Sequence, residues 1–199
     1  IGGGVLRAEN PTALVRFSAM GDVPYSASED RLLAQQISAL PAVNEFVVHL
    51  GDIKSGVTPC DEKVYVKVQQ MLSKSKAPVF IIPGDNEWND CPDPAKAWAH
   101  WVRHFTRFDQ RWKHKLPVFR QIGRKENFSF LHRGVLFVGL NIVGGKLHDP
   151  AEWKKRHAEC LEWTRRNLEI FGKKASSLVI FGHALPNQNH KDFFDPFNK

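Results

Sequence analysis

Phe17-Ser-Ala-Met-Gly21-Asp22, Phe46-Val-Val-His-Leu-Gly51-Asp52 and Val79-Phe-Ile-Ile-Pro-Gly84-Asp85 are three apolar, strand-like runs, each closed by a glycine-aspartate turn. In an α/β protein the residues just past the carboxyl ends of neighbouring strands converge on one crevice, so these turns are expected to gather Asp22, Asp52 and Asp85. Carboxylates repel one another, and a cluster of them predicts a compensating cation, either a divalent metal ion or a basic side chain. A metal ion held by hard oxygen ligands suits the hydrolysis of phosphate esters.

The rest of the chain alternates strands and helices around these turns. Leu14 to Met20 reads as the first strand, and Ser26 followed by Glu29 is a capping-box start for a helix whose Leu33, Ile37 and Leu40 share one face. Glu45 to Leu50 is a second strand, Val64, Val68, Met71 and Leu72 mark the next helix, and Pro78 to Ile82 is a third strand. Trp98, Trp101, Val102, Phe105 and Phe108 recur at helical spacing behind Asp93-Pro94, an aromatic stripe read as core. The period then changes. Asn127 to His132 and Val135 to Leu140 read as strands around an Arg133-Gly134 hairpin turn. A helix opens at Asp149-Pro150, presents Trp153, His157, Cys160, Leu161, Leu168 and Phe171, and ends at Gly172. A last strand, Ser177 to Phe181, delivers Gly182-His183 to the same edge as the three earlier turns. There is no internal repeat or low-complexity run, and Gly2 to Gly4 read as a flexible start.

The order of the turns resembles the metallophosphoesterase superfamily, the calcineurin-like phosphoesterases, whose motifs run GDxH, GDxxD, GNH[ED], a late histidine and GHxH. The counterparts here are Gly21-Asp22-Val23-Pro24, Gly51-Asp52-Ile53-Lys54, Gly84-Asp85-Asn86-Glu87 and Gly182-His183. GDIKSG and PGDNEW, each followed by a cysteine, are similar to a divergent secreted branch of that superfamily. The resemblance spans nearly the whole chain. It implies an α/β sandwich of two mixed β-sheets flanked by helices, in a single domain over residues 1–199. It further implies a divalent metal cofactor at one or two sites, with Asp22 on the first metal, Asp52 bridging, and Asp85, Asn86 and His183 on the second. Asp52, Asp85 and Asn86 would carry the catalytic roles.

The departures limit what the resemblance implies. Pro24 stands where the first motif has a histidine, Asn86 stands where the third has its imidazole, and no GHxH occurs before Lys199. Either the last motif lies in a segment beyond this chain or it is absent. An amide cannot donate a proton as an imidazolium does. Two functions follow: a metal-dependent phosphoesterase with a degenerate site, or an inactive relative that serves as a binding or assembly protein.

Other residues near the motifs have two readings. Lys54 either points to solvent or sets an ammonium among the carboxylates. His49 alternates with Val48 and Leu50 and reads as a packed strand histidine; His190 sits in a polar tail and is set aside. Glu87 is expected to orient the ligands, and Asn141 to reach the cleft from its strand end.

Composition bounds the class. At 199 residues with 42% hydrophobic and 11% aromatic content, the chain can bury a substantial core. No apolar run approaches the roughly 20 residues that cross a bilayer, so it reads as soluble. It begins at Ile1, and any targeting peptide would precede it. Cys60 and Cys91 follow the second and third turns and are candidates for a disulfide, the alternative being two free thiols, while Cys160 reads as a core residue. Asn127-Phe-Ser129 matches a glycosylation acceptor. Together these point to a secreted or otherwise extracytoplasmic protein. The formal charge of +7 favours a phosphate-containing small molecule or another anionic substrate, with one or two arginines or lysines gripping it. Nucleic acid is the weaker partner, because the aromatics lie on helix core faces rather than among the charges.

Overall fold

The computed structural model describes residues 14–197. The expected flexible start at Gly2 to Gly4 lies outside them. Among the described residues, seven strands form two sheets. The first contains β1 (Phe17–Met20), β2 (Phe46–His49) and β3 (Val79–Ile81), all parallel in the order β1-β2-β3. The second contains β4 (Phe119–Gln121), β5 (Arg124–His132), β6 (Val135–Val143) and β7 (Ser177–His183) in that order. Only this second sheet is mixed: β7 runs parallel to β6, and the other pairs are antiparallel. The first is wholly parallel because each connection within it is a crossover carrying a helix, α1 (Ala27–Ala39) or α2 (Glu62–Leu72).

Period-two alternation sorts the side chains into layers. Phe46, Val48, Phe80 and Ile82 face the second sheet and meet Phe128, Phe130, Phe137 and Phe181. Phe46 is the centre of this layer, with rings of Phe17, Phe137 and Phe130 at 5.0, 5.1 and 5.3 Å. The opposite faces of β2 and β3 offer Val47, Val79 and Ile81 to Leu33, Tyr65, Val68 and Trp101 on α1, α2 and α3 (Pro94–Phe105). Outside the second sheet, Leu136, Val138, Leu140 and Ile142 pack under α4 (Pro150–Phe171) and α5 (Lys191–Phe197). The result is a helix–sheet–sheet–helix sandwich.

Local chemistry sets the boundaries. Ser26 caps α1 by accepting from Glu29 N, while Asp93 and Asp149 cap α3 and α4 ahead of a proline at the first helical position. Arg133 and Gly134 have φ of 48° and 79°, the left-handed pair that a two-residue hairpin turn requires. The aromatic stripe of α3 is core at Trp101 and Phe105, whereas Val102 is exposed.

Cys60 and Cys91 form a disulfide with Cα atoms 6.2 Å apart, and Cys160 is a buried free thiol. The bridge fastens the loop after β2 to the loop after β3. Asn127 cannot be a glycan acceptor in this fold, because it is fully buried in β5, where Nδ2 donates to Gln121 Oε1 at 2.7 Å and Oδ1 accepts from Asn141 N at 2.6 Å. Its face of β5 packs under α4 rather than facing solvent. No helix among the described residues is long and apolar enough to cross a membrane.

Candidate metal centre

The three glycine-aspartate turns meet at the carboxyl edge of the parallel sheet, and they touch through backbone. Gly51 adopts φ +89°, and a Cβ there would lie 2.6 Å from Gly84 Cα. A Cβ on Gly84 would in turn strike the backbone and side chain of Asp52. Only glycine allows this approach. Asp22 and Asp52 themselves have φ of 58° and 57°, left-handed conformations that non-glycine residues adopt mainly where the surroundings impose them. Both carboxylates are thereby turned into the space between the strands.

Two buried side chains hold these turns together. Glu87, with no exposed surface, accepts hydrogen bonds from Gly84 N at 2.6 Å and Asp52 N at 3.1 Å. Burial, with the Asp52 charge second, pushes its carboxyl up to about 8. His49, equally buried, donates from Nε2 to the Val23 carbonyl at 3.0 Å and accepts at Nδ1 from Gly51 N at 3.2 Å. A neutral ring satisfies both partners, and burial pushes its pKa down to about 4. His49 is thus a packed strand residue, and it ties the first turn to the second.

Asp52 is the hub. Its Oδ1 accepts from Asn86 N at 3.1 Å and faces His183 Nε2 at 3.4 Å; its Oδ2 accepts from Tyr25 Oη at 2.7 Å and from Asn86 Nδ2 in a short contact. Asp85 Oδ1 lies 3.7 Å from His183 Nε2. Its carboxyl is pushed up to about 6, first by burial and then by Asp52. One ligand atom each from Asp22, Asp52 and His183 falls within 4.8 Å of the others. Asp22 therefore has a carboxylate oxygen within reach of the place that His183 faces.

The donor set fits a cation. His183 Nδ1 is 2.8 Å from the Leu50 carbonyl, which can only accept, so Nδ1 carries the proton and the lone pair of the neutral ring is left on Nε2. Nε2 faces the carboxylates of Asp52 and Asp85. A hard divalent ion suits three carboxylates and an imidazole, and Asp22, Asp52, Asp85 and His183 are the residues that would hold it. Asn86 acts on Asp52 as a hydrogen-bond donor, and its amide oxygen turns towards Gly56.

Lys54 is buried rather than solvent-facing, at 2% exposure, and its Nζ donates to the Ser55 carbonyl at 3.0 Å. Burial lowers its pKa, while Glu87, Asp52, Asp90 and Asp85 oppose that shift, in that order. It offsets part of the charge that these carboxylates place at the edge.

Other expectations are not met. The shallow depression over the site, about 400 Å³, is lined by Asp22, Asp85, His183, Leu185 and neighbouring small residues, with no arginine or lysine among them. Three of the arginines pair with carboxylates elsewhere: Arg103 with Glu62, Arg120 with Asp109, and Arg124 with Glu159. Asn141 does not reach the cleft. It is buried on the face of β6 opposite Leu140 and Ile142, where Nδ2 donates to Glu126 Oε1 at 3.1 Å, and that bond holds it away from the four residues of the site. His190 is also buried, 3.3 Å from His157 and stacked on Trp153.

Sequence reasoning missed Tyr25. Its hydroxyl also lies 3.0 Å from Asp22 Oδ1 and 3.4 Å from Asn86 Nδ2, and burial followed by the Asp52 contact raises its pKa. The available signal was position, three residues beyond Asp22 in the first turn and immediately before the Ser26 cap.

The family described as calcineurin-like phosphoesterase matches residues 16–196, and the chain belongs to that family. A search of curated proteins returns no match.

Proposed function

We propose that this calcineurin-like phosphoesterase hydrolyses a phosphate ester at the edge of its parallel sheet, using one divalent cation held by Asp22, Asp52, Asp85 and His183. The observation that carries this reading is the convergence of Asp22, Asp52 and His183, with Asp85 beside His183 and the imidazole oriented through Nδ1 so that Nε2 faces Asp52 and Asp85. When bound, the ion would supply positive charge to the phosphoryl oxygens and lower the pKa of the attacking water. The remaining roles fall to the chain. Asp52 is the central ligand, and Glu87 fixes its backbone through hydrogen bonds to Asp52 N and Gly84 N. Asn86 and Tyr25 orient its carboxylate by donating to it. Lys54 contributes a buried positive charge that lowers the cost of gathering the carboxylates.

Asn86 in place of an imidazole gives the leaving group no strong proton donor, so turnover should be slow. The substrate class is a phosphate-containing small molecule. The Cys60–Cys91 disulfide favours an oxidising, extracytoplasmic compartment.

The same lack of an imidazole favours a second reading, in which the domain binds a phosphate-bearing partner without turning it over. Hydrolysis of p-nitrophenyl phosphate separates the two. The expected result is slow turnover that is lost on chelation and restored by adding back Mn²⁺. No turnover with any divalent ion would favour the binding reading, and brisk turnover insensitive to chelation would place the chemistry elsewhere.

A further inference from the structure

We infer that the Tyr25 hydroxyl occupies the position of a second cation and limits the site to one metal ion per chain. The inference rests on the reading of the edge as a metal centre, and it concerns the side of Asp52 away from His183. There, Tyr25 Oη stands 2.7 Å from Asp52 Oδ2 and 3.0 Å from Asp22 Oδ1. An ion bridging those two carboxylates would sit about 2.0–2.6 Å from an oxygen of each. The phenolic oxygen already fills that gap.

Tyr25 is held there from several directions. Its backbone N donates to Glu29 Oε2 at 2.5 Å, and the next residue, Ser26, caps α1, so the first helical turn fixes the start of the side chain. At the other end, Asn86 Nδ2 approaches the hydroxyl at 3.4 Å and donates to Asp52 Oδ2. One phenol proton can serve only one carboxylate at a time, and the shorter contact assigns it to Asp52. Two neutral donors, Tyr25 and Asn86, therefore satisfy Oδ2 in place of a positive ion. Oδ1, by contrast, faces the imidazole of His183 beside Asp85. The two oxygens of Asp52 are thus differently engaged, one by protons of the chain and one towards the place a cation fits. Pro24, the neighbour of Tyr25, carries no donor atom that could compensate.

Tyr25 is a positioning residue in this account, and metal stoichiometry tests it independently of turnover. The metal-stripped protein would be reconstituted with Mn²⁺, desalted, and assayed for bound metal by atomic emission and for spin coupling by electron paramagnetic resonance. The wild-type chain is expected to retain one ion with no spin-coupled signal. Tyr25→Phe removes the hydroxyl but leaves the ring edge against the gap and supplies no ligand atom, with Pro24 offering none, so it should also retain one. Tyr25→His removes the phenol and offers an imidazole beside Asp22 and Asp52, and it should raise the count to two with a coupled signal. Two coupled ions in the wild-type chain would overturn the inference, and so would a folded Tyr25→His variant that retains one. A wild-type chain that retains none would overturn the metal-centre reading itself. The wild-type count keeps the test decisive even if Tyr25→His fails to fold.

Discussion

Asp52→Asn is expected to lower the metal-dependent hydrolysis of p-nitrophenyl phosphate by about 10³-fold or more, while leaving the fold intact. Asp52 faces three members of the site at once: His183 from Oδ1, and Tyr25 and Asn86 from Oδ2. Replacing it removes a negative ligand and presents an NH₂ group to partners that are themselves donors. A loss of about 4 kcal/mol of stabilisation at the transition state corresponds to roughly three decades in rate. Asparagine tolerates the left-handed backbone of Asp52, at φ 57°, as well as aspartate does. Steady-state rates with Mn²⁺ and thermal melts of both proteins give the comparison. A rate within tenfold of wild type would remove Asp52 from the chemistry.

Gly51→Ala should have the largest effect on stability, at about 4 kcal/mol. Two costs add. An alanine at φ +89° is strained by about 1–3 kcal/mol, and its Cβ would press on the Gly84 and Pro83 backbone, which cannot move without shifting Asp52. For a chain of this size each kcal/mol lowers the melting temperature by roughly 2–4 °C, so a drop of about 8–16 °C is expected. Gly123→Ala is the control. Gly123 has nearly the same φ, +86°, with nothing within 4 Å of a Cβ, so only the conformational cost applies. Equal losses in the two variants would show that the contact between the turns contributes little.

The architecture was legible because its signals are local. Apolar runs ending in Gly21-Asp22, Gly51-Asp52 and Gly84-Asp85 mark parallel strands, and capping residues before prolines mark helices. The convergence of Asp22, Asp52, Asp85 and His183 followed from strand direction alone. What escaped depends on how layers pack. Asn127 lies on the face of β5 that packs under α4, and Asn141 is held by Glu126 from the neighbouring strand; neither partner is visible from local sequence, so one reads as a glycan acceptor and the other as a cleft residue. Lys54 follows a motif aspartate in a loop, and only the packing of that loop against the turn at Glu87 decides that its ammonium is buried. Tyr25 carries no motif letter, and its reach across to Asp52 is set by the angle at which α1 leaves β1.

Anomalous diffraction from crystals grown with Mn²⁺ tests the central claim most directly. The predicted result is a single peak at the edge of the parallel sheet, within about 2.0–2.6 Å of ligand atoms from Asp52, His183 and at least one of Asp22 and Asp85. A cleft without a peak at saturating Mn²⁺, or a peak bound only by residues away from that edge, would contradict it.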